Sequence, residues 1–334
     1  MVVNIGVIGT GNIGSDHIRR ITQDCHGARV VAVSDVDADR AQAVAATVDA
    51  KTLSSGAELI ALPEVDAVLV SSSGPTHAEY VLGCLDADKP VLCEKPLATT
   101  AADCLRIVEA EQSLGRRLVQ VGFMRRFDPH YRDMKRLLDS GDLGEPLMIH
   151  CVHRNPFSVE AYTSQMATKD TAIHEIDIVR WLLDEEITSV QVLRPKGTTH
   201  CHDHLADPQI MLFATASGVR IDVEVFVNCQ YGYDIQCETV GETGTAKLPD
   251  PAQVLVRSNA TLTQPIPQTW KERFAAAFTL ELQSWIDAAA DGTVTGPGAW
   301  DGYAAAVIGD STVEALDSGE ILAVPMRQKP AFYM

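Results

Sequence analysis

The chain has 334 residues, 46% of them hydrophobic and 22% charged, which is enough for two substantial cores. A formal net charge of −18 argues against nucleic acid or an anionic membrane as a partner held by bulk electrostatics, although local basic groups can still hold a small anion. No apolar run reaches the ~18–20 residues of a membrane helix, and the opening "MVVNIGVIGTGNIG" lacks the basic stretch of a secretory signal.

Eight cysteines (25, 84, 93, 104, 151, 201, 229, 237) are scattered without a CxxC pair and read as reduced thiols of a cytoplasmic protein. In chain order, the first 120 residues alternate strand and helix. Strands are predicted at "VVNIGVIG", "ARVVAVSD", "VDAVLVSS", "KPVLCEKP" and "RRLVQVGF", with helices near 12–23, 38–48, 76–87 and 101–114. Strands apolar on both faces and spaced by helices imply an α/β doubly wound, Rossmann-type parallel sheet. A helix at 130–138 and the turn-rich "SGDLGEPL" lead into a second region, so the expected domains are 1–122 for a dinucleotide and 123–334 for substrate and assembly. There, strands at 146–153, 187–194, 208–216, 219–229 and 233–240, joined by turns such as "ASG" and "GETG", predict an α+β domain with a largely antiparallel sheet. Helices near 270–290 and 299–317 close the chain.

Gly9-x-Gly11-x-x-Gly14 follows the first strand and opens a helix, with Asn12 and Ile13 inside the motif. Gly9 permits the tight turn, Gly11 lets a pyrophosphate approach the backbone, and Gly14 lets helix pack on strand. The helix N-terminus supplies N–H donors and partial positive charge for the diphosphate. Asp35, at the end of the second strand, can accept from both hydroxyls of an adenosine ribose, which favours NAD. Arg40, five residues on, could instead hold a 2′-phosphate. The third strand runs into "SSSGPTH", where Ser73 or Gly74 can cap a helix, Pro75 suits its first turn, and His77 sits either beside the cofactor or in solvent. Glu94 and Lys95 end the fourth predicted strand at the same ligand edge, where a lysine can stabilise negative charge on a reacting oxygen. Position alone equally fits a surface lysine before a loop.

The segment "DTAIHEIDIVRWLL" (170–183) is apolar yet places Asp170, His174 and Asp177 at i, i+4 and i+7, one narrow arc of a helix. "HCHDH" (200–204) clusters three histidines and a cysteine, but no second ligand group lies near in sequence, so a polar loop is preferred and no metal is expected.

The blocks "GVIGTGNIG…DH", "CEKPLATT", "LVQVGFMRRFD", "GEPLMIHCVHRNP", "DTAIHEIDIVRWL", "YGYDIQCETVGE" and "GPGAWDGYAA" resemble the glucose–fructose oxidoreductase / inositol dehydrogenase family, and the more specific among them point to its inositol branch. The resemblance implies NAD-dependent oxidation of myo-inositol to the 2-keto inosose. Lys95, Asp170 and His174 would form the catalytic set, with His174 as general base and Lys95 on the reacting oxygen. It further implies that Met124, Arg125, Asn155, Asp177 and Tyr233 line a polyol pocket and that the chain assembles as a homotetramer. Plainer roles remain open for three of them: an ion pair for Arg125, a turn for Asn155 before Pro156, and a satisfied strand hydroxyl for Tyr233. Rival activities are oxidation of another inositol isomer or a pyranose, an NAD-dependent lyase or glycosidase with transient oxidation, and a cofactor-binding regulator without catalysis. Intact Lys95 and His174 disfavour the last.

Overall fold

The computed structural model describes residues 2–249 and 254–334. By compactness the chain forms two units, Met1–Met124 with Ala276–Ala306 and Arg327–Met334, and Arg125–Ala275 with Val307–Met326. The first crossing falls close to the expected cut after residue 122. The later segments differ, because 276–306 and 327–334 return to the first unit. The cause is apolar: Leu282, Trp285, Ile286, Ala289 and Val294 complete one buried cluster with Val3, Ile5, Val7 and Val33 of the first sheet.

In the first unit six strands form one parallel sheet: β1 (Val3–Ile8), β2 (Ala28–Ser34), β3 (Lys51–Leu53), β4 (Ala67–Val70), β5 (Val91–Cys93) and β6 (Val119–Val121). Their order is 3-2-1-4-5-6, the doubly wound arrangement with its reversal between β1 and β4. The central strands are buried on both faces, Ile5, Val7 and all of β4 included, which explains their unbroken apolar sequence. Crossovers are α1 (Asn12–Gln23), α2 (Ala38–Val48), α3 (Gly56–Ala61), α4 (His77–Asp86) and α5 (Ala101–Leu114). Side-chain caps fix three of their starts: Asp37 accepts from the Arg40 N–H, Ser55 from Glu58 and Thr100 from Asp103. The edge strand β3 and the short helix α3 lie outside the predicted elements.

The second unit holds a seven-stranded sheet of β7 (Pro146–Arg154), β8 (Ile187–Leu193), β9 (Gln209–Thr215), β10 (Arg220–Phe226), β11 (Asp234–Gly241), β12 (Thr245–Lys247) and, after the hairpin β13 (Val256–Ser258) and β14 (Thr261–Thr263), β15 (Leu322–Ala323). The order is 12-11-7-10-9-8-15. Every pairing is antiparallel except β7 with β10, so the sheet is mixed and mostly antiparallel, and the two expected hairpin turns join β9 to β10 and β11 to β12. Helices α6 (Pro129–Ser140) and α7 (Ile173–Leu183) belong here. The chain continues through α8 (Trp270–Arg273), α9 (Ala275–Ala289) and α10 (Ala299–Ser318).

Candidate active site

Between β1 and α1 the chain turns within three residues. Gly9 has φ +95°, and a Cβ there would lie 2.5 Å from the backbone of Ser71 and Ser72. A Cβ on Gly14 would collide with the Gly9 carbonyl oxygen. At Gly11 a Cβ would meet nothing within 4 Å, because this residue borders a cavity of about 540 Å³. Asn12, Ile13, Asp35, Arg40 and Ser73 also line it, together with Tyr80 and the Ser54–Gly56 turn, which were not expected. Open space over Gly11, a helix N-terminus beneath it and a carboxylate at the far edge fit a dinucleotide, with the diphosphate on α1 and the ribose at Asp35.

Asp35 is heavily engaged. Oδ2 accepts from the Thr10 N–H (2.6 Å) and hydroxyl (2.9 Å), and Oδ1 from the Asp37 N–H (2.9 Å) and Arg40 Nη2 (2.6 Å). Burial alone would push this carboxyl up, but the bonds from Arg40, Asp37 and Thr10 outweigh it and hold it down at about 2. Arg40 therefore already has a carboxylate partner, on the side where a 2′-phosphate would need it.

His77, Glu94 and Lys95 are not among the described residues lining this cavity. His77 is buried, with Nδ1 2.7 Å from the Pro96 carbonyl oxygen and Nε2 3.0 Å from that of Ser72. Both ring nitrogens thus face backbone carbonyls. Glu94 is likewise buried and turned towards His17, whereas Lys95 is partly exposed.

In the second unit the polar row of 170–183 divides. Ala167–Ala172 forms a π-helical turn before α7. A turn closed by i→i+5 bonds advances less than 100° per residue, so Asp170 leaves the expected arc and is exposed, while His174 and Asp177 are buried. Asp177 forms a two-pronged ion pair, with Arg126 Nε on Oδ2 at 2.9 Å and Nη2 on Oδ1 at 2.5 Å. Arg125, expected in the substrate lining, is 1% exposed and gives its guanidinium to Glu175, with His153 Nδ1 3.1 Å from Nη2. The ion pair left open for Arg125 is therefore present. His153 Nδ1 also lies 3.0 Å from Glu175 Oε2, and its ring stands 6.4 Å from His174 and edge-on to Tyr233 at 5.7 Å. Burial raises the Tyr233 hydroxyl, to about 12, the nearby Arg125 charge opposing. Asn155 is partly exposed and its backbone bridges Phe226 and Cys229. Met124 is buried at the end of the first unit.

The histidine-rich loop holds no metal cluster: among the described residues no group of three or more His, Cys, Asp or Glu is placed to hold an ion. His202 and His204 stack at 5.7 Å, and Cys201 Sγ donates to the Thr198 and Leu205 carbonyls.

Residues 3–123 match the NAD-binding Rossmann-fold domain of the Gfo/Idh/MocA oxidoreductase family, and residues 135–325 match its C-terminal alpha/beta domain. The chain belongs to this family. It is an NAD-dependent oxidoreductase, and it is similar over its whole length to proteins named inositol 2-dehydrogenase. One, from Saccharopolyspora erythraea, is 61% identical over 100% of this chain and 98% of its own. One from Serratia proteamaculans is 57% identical over 100% and 99%. Among solved structures, the myo-inositol dehydrogenase of Lactobacillus casei in complex with NAD(H) and myo-inositol superposes with a TM-score of 0.97, at 40% identity and full coverage of both chains.

Of the expected site residues, Gly9, Gly11, Asn12, Ile13 and Asp35 are held together at one cavity, and His174, Asp177, Asn155 and Tyr233 all lie in the second unit. Sequence reasoning missed Arg126, His153 and Glu175. A basic pair in "FMRRF" and a glutamate between His174 and Asp177 were visible, but no spacing rule joins residues 51 and 50 positions apart.

Proposed function

We propose that this chain oxidises myo-inositol to 2-keto-myo-inositol with NAD. The observation that carries the substrate assignment is the full-length likeness, at 40% identity, to an enzyme whose structure holds both NAD(H) and myo-inositol. Bound NAD supplies the two-electron acceptor. His174 takes the proton of the reacting hydroxyl through its imidazole, and Lys95 donates a hydrogen bond to the same oxygen as it becomes a carbonyl. Asp170, within the π-helical turn, orients substrate or imidazole from an exposed position. Asp177, Asn155 and Tyr233 accept or donate to the remaining hydroxyls, each of which would cost about 1–3 kcal/mol if buried unmatched. Arg126 fixes the Asp177 carboxylate for that purpose.

Production of NADH across a panel of inositols and aldoses tests the assignment. Turnover of myo-inositol with NADH accumulating is expected. Turnover confined to scyllo-inositol or an aldose would move the substrate elsewhere, and substrate loss without NADH would mean a lyase. The scyllo-inositol dehydrogenase of L. casei shares the fold at 23% identity, which separates the isomers no further.

We further place the enzyme in the cytoplasm, at the entry to cyclitol breakdown, as a homotetramer. Eight free thiols support the compartment. Exposed Leu147, Met148 and Leu193 on the second unit's sheet support assembly, which light scattering of the purified protein would test.

A further inference from the structure

Lys95 follows directly on a carboxylate that is almost wholly removed from water. Glu94 is 7% exposed, and both of its oxygens are engaged: Oε1 by His17 Nε2 at 2.6 Å, and Oε2 by the backbone N–H of Lys95 at 3.2 Å. Gly122, just past β6, leaves the room, since a Cβ there would stand 3.0 Å from Oε2. Burial by itself pushes the Glu94 carboxyl up. The hydrogen bond from His17, then electrostatic attraction to the His17 ring and to Lys95, outweigh it and hold the group below its ordinary value, as a carboxylate.

His17 is fully buried on α1, its ring edge-on to Phe278 at 5.7 Å, and its Nδ1 has no hydrogen-bond partner. A histidine so placed is best satisfied with an Nε2–H donated to Glu94, because an N–H on Nδ1 would be buried without an acceptor. With nothing beyond Nδ1, the chain from Lys95 through Glu94 ends at His17. The pair is therefore a brace and not a proton route. The other flank of Lys95 is held comparably, by the contact of His77 with the Pro96 carbonyl.

We propose that His17 is a positioning residue for Lys95, acting through Glu94. One helix then serves two ends: its N-terminus borders the cofactor cavity, and its second turn, through the Glu94 carboxylate, fixes the loop that carries the lysine. The inference rests on the role given to Lys95 above.

Three variants test it. His17→Leu removes the donor, His17→Gln keeps an amide N–H near the position of Nε2, and His17→Asn keeps a polar group too short to reach Glu94. For His17→Leu we expect kcat for myo-inositol oxidation to fall on the order of 10- to 100-fold, with NADH affinity by fluorescence titration within about twofold of wild type. His17→Gln should recover most of that loss. If the leucine variant does not fold, a cycle of His17→Asn with Glu94→Gln decides: once Glu94→Gln is present, His17→Asn should change kcat by less than about twofold. Three results would overturn the proposal: unchanged kcat in His17→Leu, NADH affinity lost in step with kcat, or independent multiplicative effects in the cycle. Wild-type enzyme and Lys95→Met are read alongside. If wild type fails on inositol or Lys95→Met keeps its rate, the role of Lys95 is what fails, whereas a normal His17→Leu with those controls intact sinks the brace alone.

Discussion

Substitution of Glu175 by glutamine perturbs the buried cluster beside His174 in a calculable way. Glu175 and Arg125 are each 1% exposed, so Glu175→Gln strands a guanidinium with no compensating carboxylate. Removing one partner of a buried pair costs about 3–5 kcal/mol. The titration of the group gives a similar figure. Burial would raise the Glu175 carboxyl, but the charge of Arg125 and then His153 hold it at about 2 against an ordinary 4.5, which corresponds to roughly 3 kcal/mol. Because the folded-state value is depressed, that stability is complete above the ordinary value and drains away as pH falls towards 2. Urea midpoints should therefore place Glu175→Gln about 3–5 kcal/mol below wild type at neutral pH, with a smaller gap near pH 3. Replacing both partners, as Arg125→Met with Glu175→Gln, should restore part of the loss, since neither side chain then leaves an orphaned charge. A single variant within about 1 kcal/mol of wild type at neutral pH, or a double variant worse than the sum of its parts, would refute the reasoning.

Other consequences concern the cofactor and the C-terminus. Asp35→Asn removes a charge-assisted acceptor worth about 1.5–3 kcal/mol and releases Arg40, so KM for NAD should rise roughly tenfold or more while activity with NADP increases. Since Asp35 is ionised far below neutrality, NAD affinity should show no titration from this group between about pH 5 and 8, as equilibrium binding would record. Tyr333→Phe deletes the bond at 2.6 Å to Glu111, whose other oxygen accepts from the N–H groups of Leu118 and Val119. The unfolding free energy, read from denaturant or thermal melts, should fall by about 1–3 kcal/mol with kcat unchanged.

The parallel sheet was legible because burial on both faces forces continuous apolar strands, and the glycine motif because only one backbone path permits its turn. The edge strand Lys51–Leu53 escaped notice, being short and mostly exposed. Pattern reading found the row at 170–177 but assumed a uniform α-helical advance, and the π-helical turn moved Asp170 out of it. A helix was expected near 270–290, yet a helical pattern does not state which sheet the helix meets, so the return of 276–306 to the first unit went unseen. The parallel pairing of β7 with β10 was hidden for a similar reason, since hairpin turns report only neighbours in sequence. Arg125 and Arg126 are adjacent and chemically alike. Their division, one to Glu175 and one to Asp177, is a tertiary fact that only the fold reveals.

In the proposed reaction His174 removes the hydroxyl proton of myo-inositol during its oxidation by NAD. Single-turnover NADH formation by wild type and His174→Ala, each with its NADH affinity measured separately, tests it most directly. Rapid NADH formation from myo-inositol is expected in wild type, and a step slowed on the order of 10²- to 10⁴-fold in the variant with NADH binding preserved. NADH formation by His174→Ala at the wild-type rate would contradict it.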